Sequence, residues 1–103
     1  MAKYLFAYHG GSVSEDPAEI EAVMAAWGAW MGSLGEALVD GGAPTASLST
    51  VATAGVSDGG GSNPVTGYSF YEADDIETAI KAAQACPIVE AGGSVEVAEV
   101  LAM

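Results

Sequence analysis

The fold is decided by Ala73-Asp74-Asp75-Ile76-Glu77-Thr78-Ala79-Ile80-Lys81-Ala82-Ala83-Gln84-Ala85-Cys86-Pro87-Ile88-Val89-Glu90-Ala91-Gly92-Gly93-Ser94-Val95-Glu96-Val97-Ala98-Glu99-Val100-Leu101-Ala102-Met103. Asp74-Asp75-Ile76-Glu77 is a helix start, because acidic side chains there accept from the free N–H groups of a first turn. Ile76, Ala79, Ile80 and Ala83 follow at helical spacing. Cys86-Pro87 stops the helix, since proline lacks the donor and clashes with the preceding turn. Gly92-Gly93 makes a turn, and residues 94–101 read as a strand. Val95 and Val97 share one face, and Glu96 and Ala98 the other. Glu99 falls in phase with the valines, which predicts a bulge or a solvent-exposed strand end.

Outward from this segment, residues 3–9 alternate as a first strand. Tyr4, Phe6 and Tyr8 point one way, and Leu5, Ala7 and His9 the other. His9-Gly10-Gly11-Ser12 breaks it. Asp16-Pro17-Ala18-Glu19 then opens a helix, with Asp16 as the cap and Pro17 at the first helical position. Ile20, Val23, Met24, Trp27, Met31, Leu34 and Leu38 form its stripe, so the helix is expected to end near Val39. Gly28, Gly32 and Gly35 flank that stripe, each costing about 1 kcal/mol of helix propensity against alanine. They predict close backbone approach or a frayed last turn. A second strand fits 46–53, a glycine-rich loop runs from Gly55 to Pro64, and a third strand fits 66–72.

The order is βαββαβ in one domain, residues 1–103. It predicts an α+β, ferredoxin-like sandwich with both helices on one face of an antiparallel sheet. The other face carries apolar residues too, so a homodimer of the dimeric α/β-barrel type is expected to hide it.

Several stretches resemble the YCII-related domain family, in its DGPF-like branch. They are Leu38-Val39-Asp40-Gly41-Gly42, Gly55-Val56-Ser57-Asp58-Gly59-Gly60-Gly61, Gly67-Tyr68-Ser69, and Ala73-Asp74-Asp75 through Cys86-Pro87-Ile88 to Gly92-Gly93-Ser94-Val95-Glu96-Val97. The resemblance spans nearly the whole chain. It implies a dimerised ferredoxin-like fold with a small pocket between helix, sheet and partner. It also implies lyase- or isomerase-type chemistry on small ring compounds in some relatives. The acid–base histidine proposed for the YCII type falls, by this alignment, at Met24, so that mechanism does not transfer.

Fourteen acids against two bases, Lys3 and Lys81, give a net charge of −12. A nucleic-acid partner needs basic side chains to displace counterions, so that class is excluded. Anionic membranes and phosphorylated substrates are disfavoured for the same reason. Cys86 is the single cysteine, and with no run long enough to span a bilayer and no signal-peptide core, a cytoplasmic location is expected. It follows a helix rather than heading one and has no neighbouring cation, so it reads as a structural thiol. No cofactor is implied, and no metal-ligand spacing is present.

His9 is the only histidine, at a strand end beside flexible glycines, where an acid–base group is plausible. Asp40 and Asp58 are the candidate carboxylate partners, although each also suits loop hydrogen bonding. Trp27 lies in the helix stripe and Trp30 at its edge. With Tyr8 and Tyr68 they are candidate ligand-binding residues for a ring-shaped molecule. The stretch from Ser57 to Pro64 lacks the Gly-Lys-Ser/Thr ending of a phosphate loop, and reads instead as a hairpin tip or lid. Two functions are expected: acid–base chemistry by His9, or a non-catalytic ligand-binding or dimeric interaction module.

Overall fold

The computed structural model describes residues 1–11 and 15–101. Ser12, named in the predicted break, and the last two residues lie outside them. The chain is α+β. The sheet strands are β1 (Ala2–His9), β2 (Leu38–Pro44), β5 (Val65–Ala73) and β6 (Ser94–Glu99), and a hairpin is made by β3 (Ser49–Ala52) and β4 (Gly55–Asp58). The helices are α1 (Pro17–Leu34), α2 (Ile76–Gln84) and the single turn α3 (Pro87–Glu90).

Four strands form an antiparallel sheet in the order β2-β5-β1-β6. β5 therefore separates β1 from β2, the strands that α1 connects. Likewise β1 separates β5 from β6, the strands that α2 connects. The alternation of β1 holds: Tyr4, Phe6 and Tyr8 are buried on the helix side, with Phe6 fully so. Phe6 stacks on Tyr71 of β5 at 5.3 Å and on Trp30 of α1 at 6.3 Å. Ala79 and Ala83 of α2, Cys86 and Ile88 complete this core.

Both helix starts form as their sequences predict. The Asp16 carboxylate accepts from the Ala18 N–H at 3.0 Å. Asp75 accepts from the Thr78 N–H at 2.9 Å and its hydroxyl at 2.7 Å. These bonds favour the ionised carboxylate and hold Asp75 below the usual carboxylate range.

Three boundaries differ from expectation. Helix α1 ends at Leu34, not Val39. Gly35 adopts φ 59 and turns its N–H back to the Gly32 carbonyl, and one 3-10 turn (Gly35–Ala37) follows. The second sheet strand is then Leu38–Pro44 rather than 46–53. Leu38 pairs with Tyr71 and Ala43 with Tyr68, with irregular register between. Gly42 makes that pairing possible: at φ 68, a Cβ there would overlap the Tyr68 carbonyl oxygen. The Ser/Thr-rich stretch around 46–53 instead folds back through Thr53-Ala54 onto Gly55–Asp58. That hairpin is exposed along both strands, because no large side chain ties it to the core.

Two smaller outcomes concern the last third. Pro87 ends α2 and also opens α3, where its fixed φ and missing N–H are harmless. Strand β6 keeps one register throughout, so Glu99 is simply the exposed strand end and no bulge intervenes.

Candidate functional site

Helix α1 carries almost no charge after Glu21, and its N-terminal half finds little cover. Ile20, Val23 and Met24 are exposed at 42%, 49% and 70%. The burial expected along the whole stripe is therefore confined to its C-terminal end. There, α1 crosses the β1–β5–β2 side of the sheet and leaves a cavity of about 560 Å³. Tyr8, Trp27, Met24 and Met31 form one side of it, and the Gly41–Pro44 backbone with Thr66 and Gly67 the other. No lining residue is charged. A second concavity of about 710 Å³ shares Met24, Trp27 and Ile88 with the first and continues along α1 toward α3.

The two tryptophans exchange the roles their spacing suggests. Trp30 is the core residue, 6% exposed, and its indole N–H donates to the Ala82 carbonyl at 3.0 Å. Trp27 is half-buried and lines both concavities. Its ring stands edge-on to Tyr8 at 5.0 Å and to Trp30 at 5.7 Å. The helix starts as predicted but sits rotated on the sheet, so position 30 meets α2 and position 27 meets open space. Tyr68 borders the cavity, with its ring packed edge-on to Phe70 at 6.1 Å.

A short polar chain starts in the cavity wall at Tyr8 and returns to it at Gly41, through the buried Ser69. The Tyr8 hydroxyl donates to the Ser69 hydroxyl at 2.8 Å. Ser69, fully buried, donates in turn to the Gly41 carbonyl at 2.8 Å. Burial pushes the Tyr8 phenol up to about 12, against the smaller opposing effect of the Ser69 hydrogen bond. The Thr66 hydroxyl, on the residue that breaks the β1–β5 register, donates to the Tyr8 carbonyl at 3.2 Å.

His9 belongs to the other face of the sheet. Its Nε2 lies 3.0 Å from Glu96 Oε1, and its Nδ1 lies 3.0 Å from the Asn63 carbonyl oxygen. The side chain is 12% exposed and that of Glu96 72%. A carbonyl can only accept, so Nδ1 carries a proton.

His9 is thus brought together with Glu96, not with Asp40 or Asp58. Asp40 accepts from the Gly42 N–H at 2.8 Å and closes its own loop. Asp58 ends β4 opposite Ser49 in the exposed hairpin. Neither is among the cavity-lining residues, and nor is His9. A signal for Glu96 exists in the sequence: once β6 lies beside β1, alternation puts Glu96 on the face of Ala7 and His9. Ser69 and the Gly41 carbonyl carry no such signal, because they meet Tyr8 only once β5 lies between β1 and β2.

Cys86 is 1% exposed, and burial raises its thiol to about 11. Among the described residues, no group of His, Cys, Asp and Glu side chains is arranged to hold a metal ion. Among the described residues, no helix is long and apolar enough to cross a membrane. No family model, curated protein or solved structure matches this chain.

Proposed function

We propose that this protein binds a small, uncharged, ring-shaped molecule in the cavity between α1 and the β1–β5–β2 side of the sheet. The observation that carries this reading is the composition of the wall. Trp27, Tyr8 and two methionines face backbone and small residues across about 560 Å³ with no charged side chain. That volume falls in the range of small-molecule sites, and apolar, aromatic walls are their usual lining. Two of the methionines' neighbours are aromatic, and methionine adapts to rings of varied outline. A panel of one- to three-ring aromatics, screened by thermal shift and followed by calorimetry, tests it. Binding that is lost in Trp27→Ala supports the reading; no binding by any member refutes it.

The architecture around that cavity is, in this proposal, ferredoxin-like. Interlocking of the two βαβ units, each split by a strand of the other, supports that assignment, and so does the YCII-like pattern of the sequence. The open sheet face is the proposed homodimer surface. Leu5, Ala7, Phe70 and Ala98 lie there without a covering helix, and Tyr68 is 37% exposed beside them. Covering such a face is a common reason for symmetric pairing. Light scattering after size exclusion reads it directly, and a monomer across the micromolar range refutes it.

A second reading, acid–base catalysis by His9, draws on its short contact with Glu96. It is the weaker of the two. Both ring nitrogens are already engaged, and the cavity opens on the opposite face. Turnover of a ring substrate that disappears in His9→Ala but survives in Trp27→Ala would reverse this preference.

A further inference from the structure

The polarity of the buried hydroxyl chain narrows the ligand. We infer that the molecule held in this cavity presents a hydrogen-bond donor, an O–H or N–H on an otherwise apolar ring, to the hydroxyl oxygen of Tyr8. This rests on the ligand-binding reading above and adds the ligand's polarity to it.

The direction of the chain is dictated at its far end. The Gly41 carbonyl can only accept, so the single proton of Ser69 is spent on it at 2.8 Å. The Ser69 oxygen must then accept from Tyr8, also at 2.8 Å. Tyr8 has no second proton. What it can offer the cavity it lines is a lone pair. Ser69 is fully buried, so solvent does not reverse the chain.

Two further donors at the wall are likewise taken by protein acceptors, whereas the indole of Trp27, which also lines the cavity, remains a donor. The Thr66 proton goes to a carbonyl, that of Tyr8 at 3.2 Å or that of Gly10 at 3.5 Å. The Gly42 N–H is taken by Asp40. The side-chain hydroxyls of Tyr8 and Thr66 are thus acceptors toward the cavity. An anionic ligand would meet no cation at the wall, inside a chain of net charge −12. A ligand with only acceptors would bury Tyr8's lone pair unpaired. A neutral donor-bearing ring satisfies it. The phenol of Tyr8, raised to about 12 by burial, stays neutral in this role at any ordinary pH.

Three probes of one shape test this at pH 7 by calorimetry on the full chain: 2-naphthol, 2-methoxynaphthalene and 2-naphthoate. The first has the donor, the second has lost it, and the third carries a negative charge. The expected result is 2-naphthol about tenfold tighter than 2-methoxynaphthalene, the ratio for one hydrogen bond. 2-Naphthoate is expected to be the weakest. Tyr8→Phe should bring 2-naphthol down to the level of the methyl ether while the ether is unchanged. Equal binding of the ether or the carboxylate, or an unchanged ratio in folded Tyr8→Phe, overturns the inference and leaves ligand binding standing. Failure of all three probes to bind overturns both. If Tyr8→Phe does not fold, the wild-type ratio alone decides.

Discussion

The indole N–H of Trp30 donates to the carbonyl of Ala82 across the gap between α1 and α2. It is a side-chain hydrogen bond that ties the two helices to each other over the sheet, and it makes Trp30 and Trp27 unequal. Trp30→Phe leaves the Ala82 carbonyl without this partner and shrinks a buried ring, which should cost about 2–4 kcal/mol. Trp27→Phe changes a half-buried wall residue and should cost less than about 1 kcal/mol. Urea unfolding of the two variants measures the difference; equal costs would contradict the assignment of Trp30 to the core.

Glycines of the same chain should respond in opposite directions to alanine. Gly42→Ala puts a Cβ into the Tyr68 carbonyl at a positive φ, so β2 must leave β5. The expected loss exceeds about 3 kcal/mol. Gly28 has helical backbone and open space around its Cβ position. Gly28→Ala should therefore stabilise by up to about 1 kcal/mol. Thermal unfolding of the two variants checks both signs.

These glycines show where the sequence is legible and where it is not. Local chemistry reads well: the Asp16 and Asp75 caps, the Cys86-Pro87 stop and the alternation of Tyr4, Phe6 and Tyr8 all depend on near neighbours. The path from Leu34 to Ala52 does not. Leu38-Val39 continues the helical stripe, and Gly41-Gly42 looks like a turn. Only the approach of Tyr68, far away in the chain, explains a glycine inside a strand. The candidate site divides in the same way. Tyr8 and Trp27 stand out by residue type, whereas Ser69, Thr66 and Glu96 become meaningful only when the sheet order sets their neighbours.

Tyr8 gives the stability a defined response to alkali. Its folded value is raised to about 12 from an ordinary 10.0. Below pH 10 the phenol is protonated in both states and contributes no slope. Between about 10 and 12 the unfolded chain releases the proton and the folded one keeps it, so stability falls as pH rises. Cys86 acts in the same direction from about 9 to 11, and Tyr4 is also raised, first by burial and then by Glu99. The prediction is therefore comparative. The decline measured by urea midpoints from pH 9 to 11.5 should be shallower above pH 10 in Tyr8→Phe than in the wild type, with the curves converging in shape below it. Identical slopes would mean that the Tyr8 hydroxyl is not held in the dry environment described.

Cys86 provides an independent clock for opening of the core. Two effects oppose one another at this thiol. It immediately precedes the α3 turn, whose N–H groups favour a thiolate, and the backbone hydrogen bond from Ile88 lowers its value. Burial at 1% exposure outweighs both and raises it to about 11 from 9.0. At pH 8 a two-unit rise alone reduces the thiolate about 100-fold, before access is counted. An aromatic disulfide reagent should therefore modify the native protein at least about 100-fold more slowly than the urea-unfolded chain. Because the thiol sits between α2, α3 and the sheet, modification requires these to separate. The rate should rise with denaturant as the core opens, and Trp30→Phe should accelerate it more than Trp27→Phe. A thiol that reacts at the unfolded rate in native buffer would place Cys86 outside the core.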